Sequence, residues 1–157
     1  MSVGLPEELL VDFVNTLDVE AHTDVLDDPA SWQAWAAERG ATADPIEPAR
    51  ACRDALRDRA LCGHTGLALP PVPLRVVLDP EGRARLLPVA EENGILAAVL
   101  AAVLQLEHEG RLDRVKVCPA DDCRWAFYDR SRNASRQWCS MAVCGNRAKT
   151  RTFRAKG

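Results

Sequence analysis

Apolar residues recur at helical spacing in four stretches of the chain. In "LPEELLVDFVNTL", residues 5 to 17, Leu5, Leu9, Leu10, Phe13, Val14 and Leu17 share one face. Pro6 suits a first helical position, and Glu7 and Glu8 complement the dipole there. "DDPASWQAWAAERG" reads as a second helix entered through Pro29 and Ser31 and stopped at Gly40, with Trp32, Trp35 and Ala36 inward. After Pro45 and Pro48, "ARACRDALRDRALCG" gives a third, with Ala49, Cys52, Leu56 and Ala60 on one side. The strongest period runs from Glu91 to Glu109, where Ile95, Leu96, Val99, Leu100, Val103, Leu104 and Leu106 cover the buried face and Gly110 ends the helix. Between the third and fourth helices lie the proline-rich "GLALPPVP" and then "LRVVLDPEGRARLLPV", a β-hairpin turned at Asp79-Pro80-Glu81-Gly82. There is no internal repeat.

The pattern changes after residue 112. Only Trp125 to Tyr128 reads as a strand, followed by the turn-rich "DRSRN". This tail is too small to build a core of its own. It holds four of the six cysteines in two equal pairs. Cys118 and Cys123 enclose four residues, as do Cys139 and Cys144, with fifteen residues between the pairs. Two tight turns each offering two sulfurs, joined by a segment long enough to fold back, are what a tetrahedral zinc site requires. A bound ion contributes on the order of 10 kcal/mol of apparent folding free energy in small modules of this kind. One structural Zn²⁺ is expected on Cys118, Cys123, Cys139 and Cys144; an iron–sulfur cluster is the alternative for thiolate ligands. Four protein ligands leave no open position for catalysis. Cys52 and Cys62 lie about 15 Å apart along their helix, beyond disulfide reach. Both read as small core residues.

Charge divides the chain the same way. Residues 1 to 110 carry 8 Arg/Lys against 19 Asp/Glu, net −11, whereas residues 111 to 157 carry 12 against 4, net +8. Arg outnumbers Lys 17 to 3, as a GC-rich genome would produce, but base composition does not gather cations at one end. The asymmetry implies an acidic body with a basic appendage that meets an anion. If a helix begins near Cys144, Arg147, Arg151 and Arg154 form one stripe, with Lys149 elsewhere on its surface. Arg124, Arg130, Arg132 and Arg136 come from the preceding loop, interleaved with Trp125, Tyr128, Asn133 and Trp138. Cations would contact phosphates, Asn133, Asn146 and arginines could reach base edges, and aromatics could stack on unpaired bases. Trp125, Phe127 and Trp138 are expected to cover the metal knuckle instead.

Other chemistry is missing. His22, His64 and His108 are isolated and read as surface residues, and no nucleophile motif or phosphate-binding glycine loop is present. No enzyme is expected. Met1 to Leu10 has neither a basic region nor a long apolar run, so no signal peptide is expected. The apolar stretch Ile95 to Leu106 has 12 residues, too few to span a bilayer. A cytoplasmic location is the default expectation, and there thiols stay reduced.

The segment "CPADDCRWAFYDRSRNASRQWCSMAVCGNRAK" resembles the CGNR zinc finger, named for the residues that here are Cys144-Gly145-Asn146-Arg147. The resemblance includes all four cysteines, Phe127, Asp129, Ser131-Arg132-Asn133, the run from Arg136 to Met141, and Lys149. Gln137 departs from it, arginine being common there. In many bacterial proteins this finger follows a helical ABATE domain, described as a candidate stress-induced transcription regulator. Phe13-Val14-Asn15-Thr16-Leu17 and the tryptophan helix at 32 to 39 look like that domain's opening. The resemblance implies bound zinc and a role in gene regulation.

The expectation is an α+β, mainly helical protein: a helical ABATE-like domain with a small β-hairpin, residues 1–112, then a four-cysteine zinc-ribbon or treble-clef-like module, residues 113–157, ending in a basic helix. Its expected function is nucleic-acid binding through that module, DNA in preference to RNA. The alternative is a structural zinc module for protein–protein or interdomain contact, its arginines docked on the acidic domain. A homodimer and a ligand for the helical domain stay open, and no membrane partner is expected.

Overall fold

A computed structural model describes residues 5–63, 71–89 and 94–154. His64, most of the proline-rich connection, the first residues of the expected fourth helix and Lys156 lie outside them. The described elements are α1 (Pro6–Val14), β1 (Leu17–Asp18), β2 (Thr23–Asp24), α2 (Pro29–Glu38), α3 (Ile46–Cys62), β3 (Leu74–Leu78), β4 (Ala84–Pro88), α4 (Ile95–His108), β5 (Val115–Val117), β6 (Ala126–Tyr128) and α5 (Asn146–Arg154). The strands form three two-stranded antiparallel ribbons, β1 with β2, β3 with β4 and β5 with β6.

Each helix follows its expected face with local corrections. The first ends at Val14 rather than Leu17, because the chain turns at Asn15 into β1. Leu9, Leu10, Phe13 and Val14 are buried, while Leu5 is exposed and Leu17 half-buried. In α2, Trp32 and Ala36 are buried and Trp35 stacks on Trp32 at 5.4 Å between ring centroids. The Asp28 carboxylate caps α2 by accepting from the Ser31 N–H at 3.0 Å. The third helix starts at Ile46, so Pro48 sits inside its first turn, where a missing N–H breaks no helical bond. Cys52 is buried as expected; Cys62 is exposed, at the end of α3, so its reading as a core residue is corrected. Leu104 is likewise exposed, because α4 meets α1 and β4 along the face carrying Ile95, Leu96, Val99, Ala102 and Leu106.

Two polar arrangements close this body. Asp44 accepts from the Leu96 N–H at 2.8 Å, capping the start of α4. A Cβ at Gly94 would lie 2.4 Å from that carboxylate, so the close approach requires glycine. Asp24 is ion-paired with buried Arg53 and half-buried Arg50, each at 2.6 Å. Burial opposes its charge, but hydrogen bonds from Arg53 and the Leu26 N–H hold its carboxyl below the usual range.

The β3–β4 hairpin turns where expected. Asp79 accepts from the Glu81 and Arg83 N–H groups, and Gly82 takes φ +78°. The β5–β6 ribbon packs against α1 and α3, and Val115, Val117 and Ala126 belong to the same core as Phe13, Trp32 and Leu106. The apolar core is therefore continuous across residues 112 and 113. Among the described residues no helix is long and apolar enough to cross a membrane.

Candidate metal centre

The first cysteine pair lies in the turn of the β5–β6 ribbon. Cys118 follows β5 and donates its N–H to the Trp125 carbonyl at 2.9 Å, extending the ladder by one rung. The chain then tightens: the N–H groups of Cys123 and Arg124 both donate to the Ala120 carbonyl at 3.0 Å, and Arg124 adopts φ +54°. The second pair brackets a wide turn, Met141–Gly145, capped where the Ser140 hydroxyl accepts from the Val143 N–H at 3.3 Å. Cys144 thus stands at the threshold of α5.

These turns bring four sulfurs into one cluster. All lie within 4.8 Å of one another. Cys139 Sγ is 3.5 Å from Cys123 Sγ and 3.6 Å from Cys144 Sγ. A tetrahedral zinc–thiolate site places its sulfurs about 3.8 Å apart, so the donor set fits the ion in number, chemistry and spacing. Cys118, Cys123 and Cys144 are buried and Cys139 half-buried, with Ala120 and half-buried Trp138 packed around them.

Electrostatics supports the same reading. Burial opposes ionisation of Cys118, yet the N–H groups of Cys139 and Ala120 and the thiols of Cys139 and Cys144 hold it below the ordinary thiol range. Burial pushes Cys144 up to about 11 and drives Cys139 upward too, reinforced by its Cys123 neighbour. Crowded sulfurs cannot all be thiolates unless a cation lies among them. Backbone N–H groups aimed at a ligand sulfur are the outer partners such a site needs. By contrast, burial pushes Cys52 up to about 12, which leaves it inert.

Asp129 organises the loop between the cysteine pairs. Fully buried, it accepts from Lys116 Nζ at 2.7 Å, the Ser131 N–H at 2.9 Å and the Arg136 N–H at 2.8 Å. Burial opposes its charge, but Lys116 and these donors hold the carboxyl well below the usual range. Lys116 also reaches the Ala134 and Arg136 carbonyls at 2.5 and 3.0 Å, so its three donors are all used.

The module is fastened to the helical body by residues that sequence spacing did not single out. Asn15, at the end of α1, accepts from the Ala126 N–H at 2.7 Å and donates to the Ala126 carbonyl at 3.0 Å. Its amide acts as one further rung on the free edge of β6. Arg57, buried on α3, donates to the carbonyls of Leu17 at 2.9 Å, Val14 at 3.3 Å and Arg124 at 3.3 Å. Arg111 joins Glu7 at 3.0 Å and the Tyr128 hydroxyl at 2.9 Å. Periodicity could not mark Asn15 or Arg57, because each acts through backbone contacts distant in sequence. The hint in the sequence is that Arg53 and Arg57, one turn apart, share the side of α3 that carries Ala49 and Cys52.

The expected contact residues divide by environment. Arg132, Asn133, Lys149 and Arg154 are exposed, and their side chains have no hydrogen bond or ion pair among the described residues. Arg147 pairs with Glu20 at 3.2 Å and Asp122 at 3.8 Å, and Arg151 with Asp122 at 2.8 Å. Arg130 faces Glu8 at 3.6 Å and Arg124 pairs with Asp121. Arg136 is exposed but lies over the Phe127 ring at 4.7 Å and donates to the Trp138 and Cys139 carbonyls. Asn146 donates to the Ala142 carbonyl at 3.0 Å. Phe127 is buried and Trp138 half-buried, as expected of cover for the knuckle. Trp125 is not: it is 39% exposed, its backbone closing the knuckle while its ring faces out.

No curated protein matches the chain. Residues 114–157 match the family model of the CGNR zinc finger, the segment in which these four cysteines come together to hold a single zinc ion.

Proposed function

We propose that the protein is a transcription regulator whose zinc module binds nucleic acid, with DNA the preferred partner. The observation that carries this reading is that Arg132, Asn133, Lys149 and Arg154 are exposed without partners among the described residues, in a segment of net charge +8. Long cations left in water on a rigid scaffold suit phosphate contact. The metal's role is structural: it fixes the loop from Asp129 to Arg136 and the start of α5, and so the directions of these side chains. The first cysteine pair in a hairpin turn and Cys144 just before a helix support a zinc-ribbon or treble-clef-like reading of residues 113–157. Residues 1–112 serve as an ABATE-like sensing or dimerising unit, a role for which the loose sequence resemblance is the support.

The interdomain alternative requires the arginines to be absorbed by the acidic body. Among the described contact residues, only Arg147 and Arg130 pair with an acid from residues 1 to 110, at Glu20 and Glu8. The docking itself rests mainly on Asn15, Arg57 and Arg111, which leaves the exposed cations available.

The test is electrophoretic mobility of labelled DNA and RNA with zinc-loaded protein across a salt series. The logarithm of affinity should fall linearly with the logarithm of salt, and Arg132→Gln with Arg154→Gln should reduce that slope by about 2. Binding that is absent or insensitive to salt contradicts the reading.

A further inference from the structure

The two sides of α5 are unlike. One carries Arg147, Arg151 and Arg154, and the first two are already paired with Glu20 and Asp122. The other carries Ala148, Lys149, Thr152 and Phe153, which with Trp138 and Gly145 of the preceding turn line an open groove of about 400 Å³. None of the residues of α5 is buried, so Phe153 is not there to fill a core. It is 81% exposed and is the only large apolar residue of that helix. A full turn of helix places it beside Lys149, whose ammonium has no partner among the described residues.

The floor of the groove is low, because Gly145 and Ala148 bring almost no side chain to it. Two aromatic rings, a shallow floor and one unpaired ammonium are the parts that hold a planar ring attached to an anion. Resting on the proposed nucleic-acid reading, we propose that this groove takes an unpaired base of single-stranded nucleic acid. The base packs against Phe153 and Trp138, and Lys149 holds the adjoining phosphate.

Duplex DNA hides its base faces and could use only the phosphate contact here. A membrane surface fits less well, because interfacial helices present a continuous apolar face and α5 offers a single phenylalanine.

The experiment uses the full zinc-loaded chain and compares a fluorescently labelled oligothymidylate with a duplex of equal length at fixed salt. Single strand should bind more tightly, and Phe153→Ala should weaken it by about 5- to 150-fold while barely changing duplex binding. Phe153→Leu should recover little, since it restores bulk without a π face. Lys149→Gln should lower the single-strand salt slope by about 0.7. Zinc content of each variant should equal that of the unaltered chain. Duplex binding at least as tight as single strand, or a Phe153→Ala protein that binds oligothymidylate normally, overturns the groove assignment and leaves the broader reading standing. Failure to bind any nucleic acid overturns both. Retention on anionic vesicles without oligonucleotide binding overturns both in favour of a lipid surface.

Discussion

Asn15 and Asp129 show how single polar side chains can hold a small module. Asn15 supplies both a donor and an acceptor to Ala126, so its loss leaves two backbone groups of β6 without partners. Asn15→Ala should lower unfolding stability by on the order of 2 kcal/mol, read by denaturant titration, and should speed exchange of the Ala126 amide. Asp129 gives a pH-dependent term. Its folded carboxyl is depressed, so its contribution is complete above the ordinary carboxylate range and is lost as pH falls below about 4 toward its folded value. Asp129→Asn removes the charge opposite Lys116, and the variant should show a shallower loss of stability on acidification than the unaltered protein. Acid also releases zinc from protonating thiolates, but that term is common to both proteins and cancels in the comparison. The cysteines separate by exposure. A thiol-alkylating reagent followed by mass mapping should label Cys62 first in zinc-loaded protein, and reach Cys118, Cys123, Cys139 and Cys144 only after chelation.

At the level of elements, the long periodic segments, the β3–β4 hairpin and the short strand ending at Tyr128 were legible, and the remaining short strands were not. Helix α4 follows from its apolar spacing, and the β3–β4 turn from Asp79 and Gly82, because each is fixed by local residues. The β1–β2 ribbon escaped because strands of two residues show no alternation. The partner of β6 escaped for another reason: Val115–Val117 becomes a strand only when the cysteine turn folds Ala126–Tyr128 back on it. The four metal ligands were readable since a tetrahedral site dictates ligand type and spacing. Their polar support was not, because Lys116 and Asp129 meet across the ribbon and Asn15 lies 111 positions from Ala126. A basic helix beginning near Cys144 was expected, but the pairing of Arg147 and Arg151 with Glu20 and Asp122 was not. Its lack of buried residues makes α5 dependent on the turn that precedes it. Cys144→Ser should therefore unfold α5 while leaving α1, α2, α3 and α4 helical, seen as a small loss of helical circular dichroism with near-normal tryptophan packing around Trp32.

Across the whole molecule, a continuous core and a metal cluster divide the structural work. Val115, Val117 and Ala126 tie the base of the module into the helical body, while Ala120 and Trp138 pack around the four sulfurs. Chelation should then loosen the two cysteine turns, the loop beyond Asp129 and α5, and leave the helical body with β5 and β6 folded, as mapped by hydrogen exchange. Because the exposed cations sit on that metal-dependent segment, the proposed nucleic-acid binding should be lost with the metal and return on adding zinc. All of this depends on one zinc ion held by Cys118, Cys123, Cys139 and Cys144. The most direct test is native mass spectrometry of the purified chain beside its Cys139→Ser, Cys144→Ser variant. The expected result is one zinc per chain in the unaltered protein and none retained by the variant; a metal-free chain with residues 118 to 154 fully protected from exchange would contradict the account.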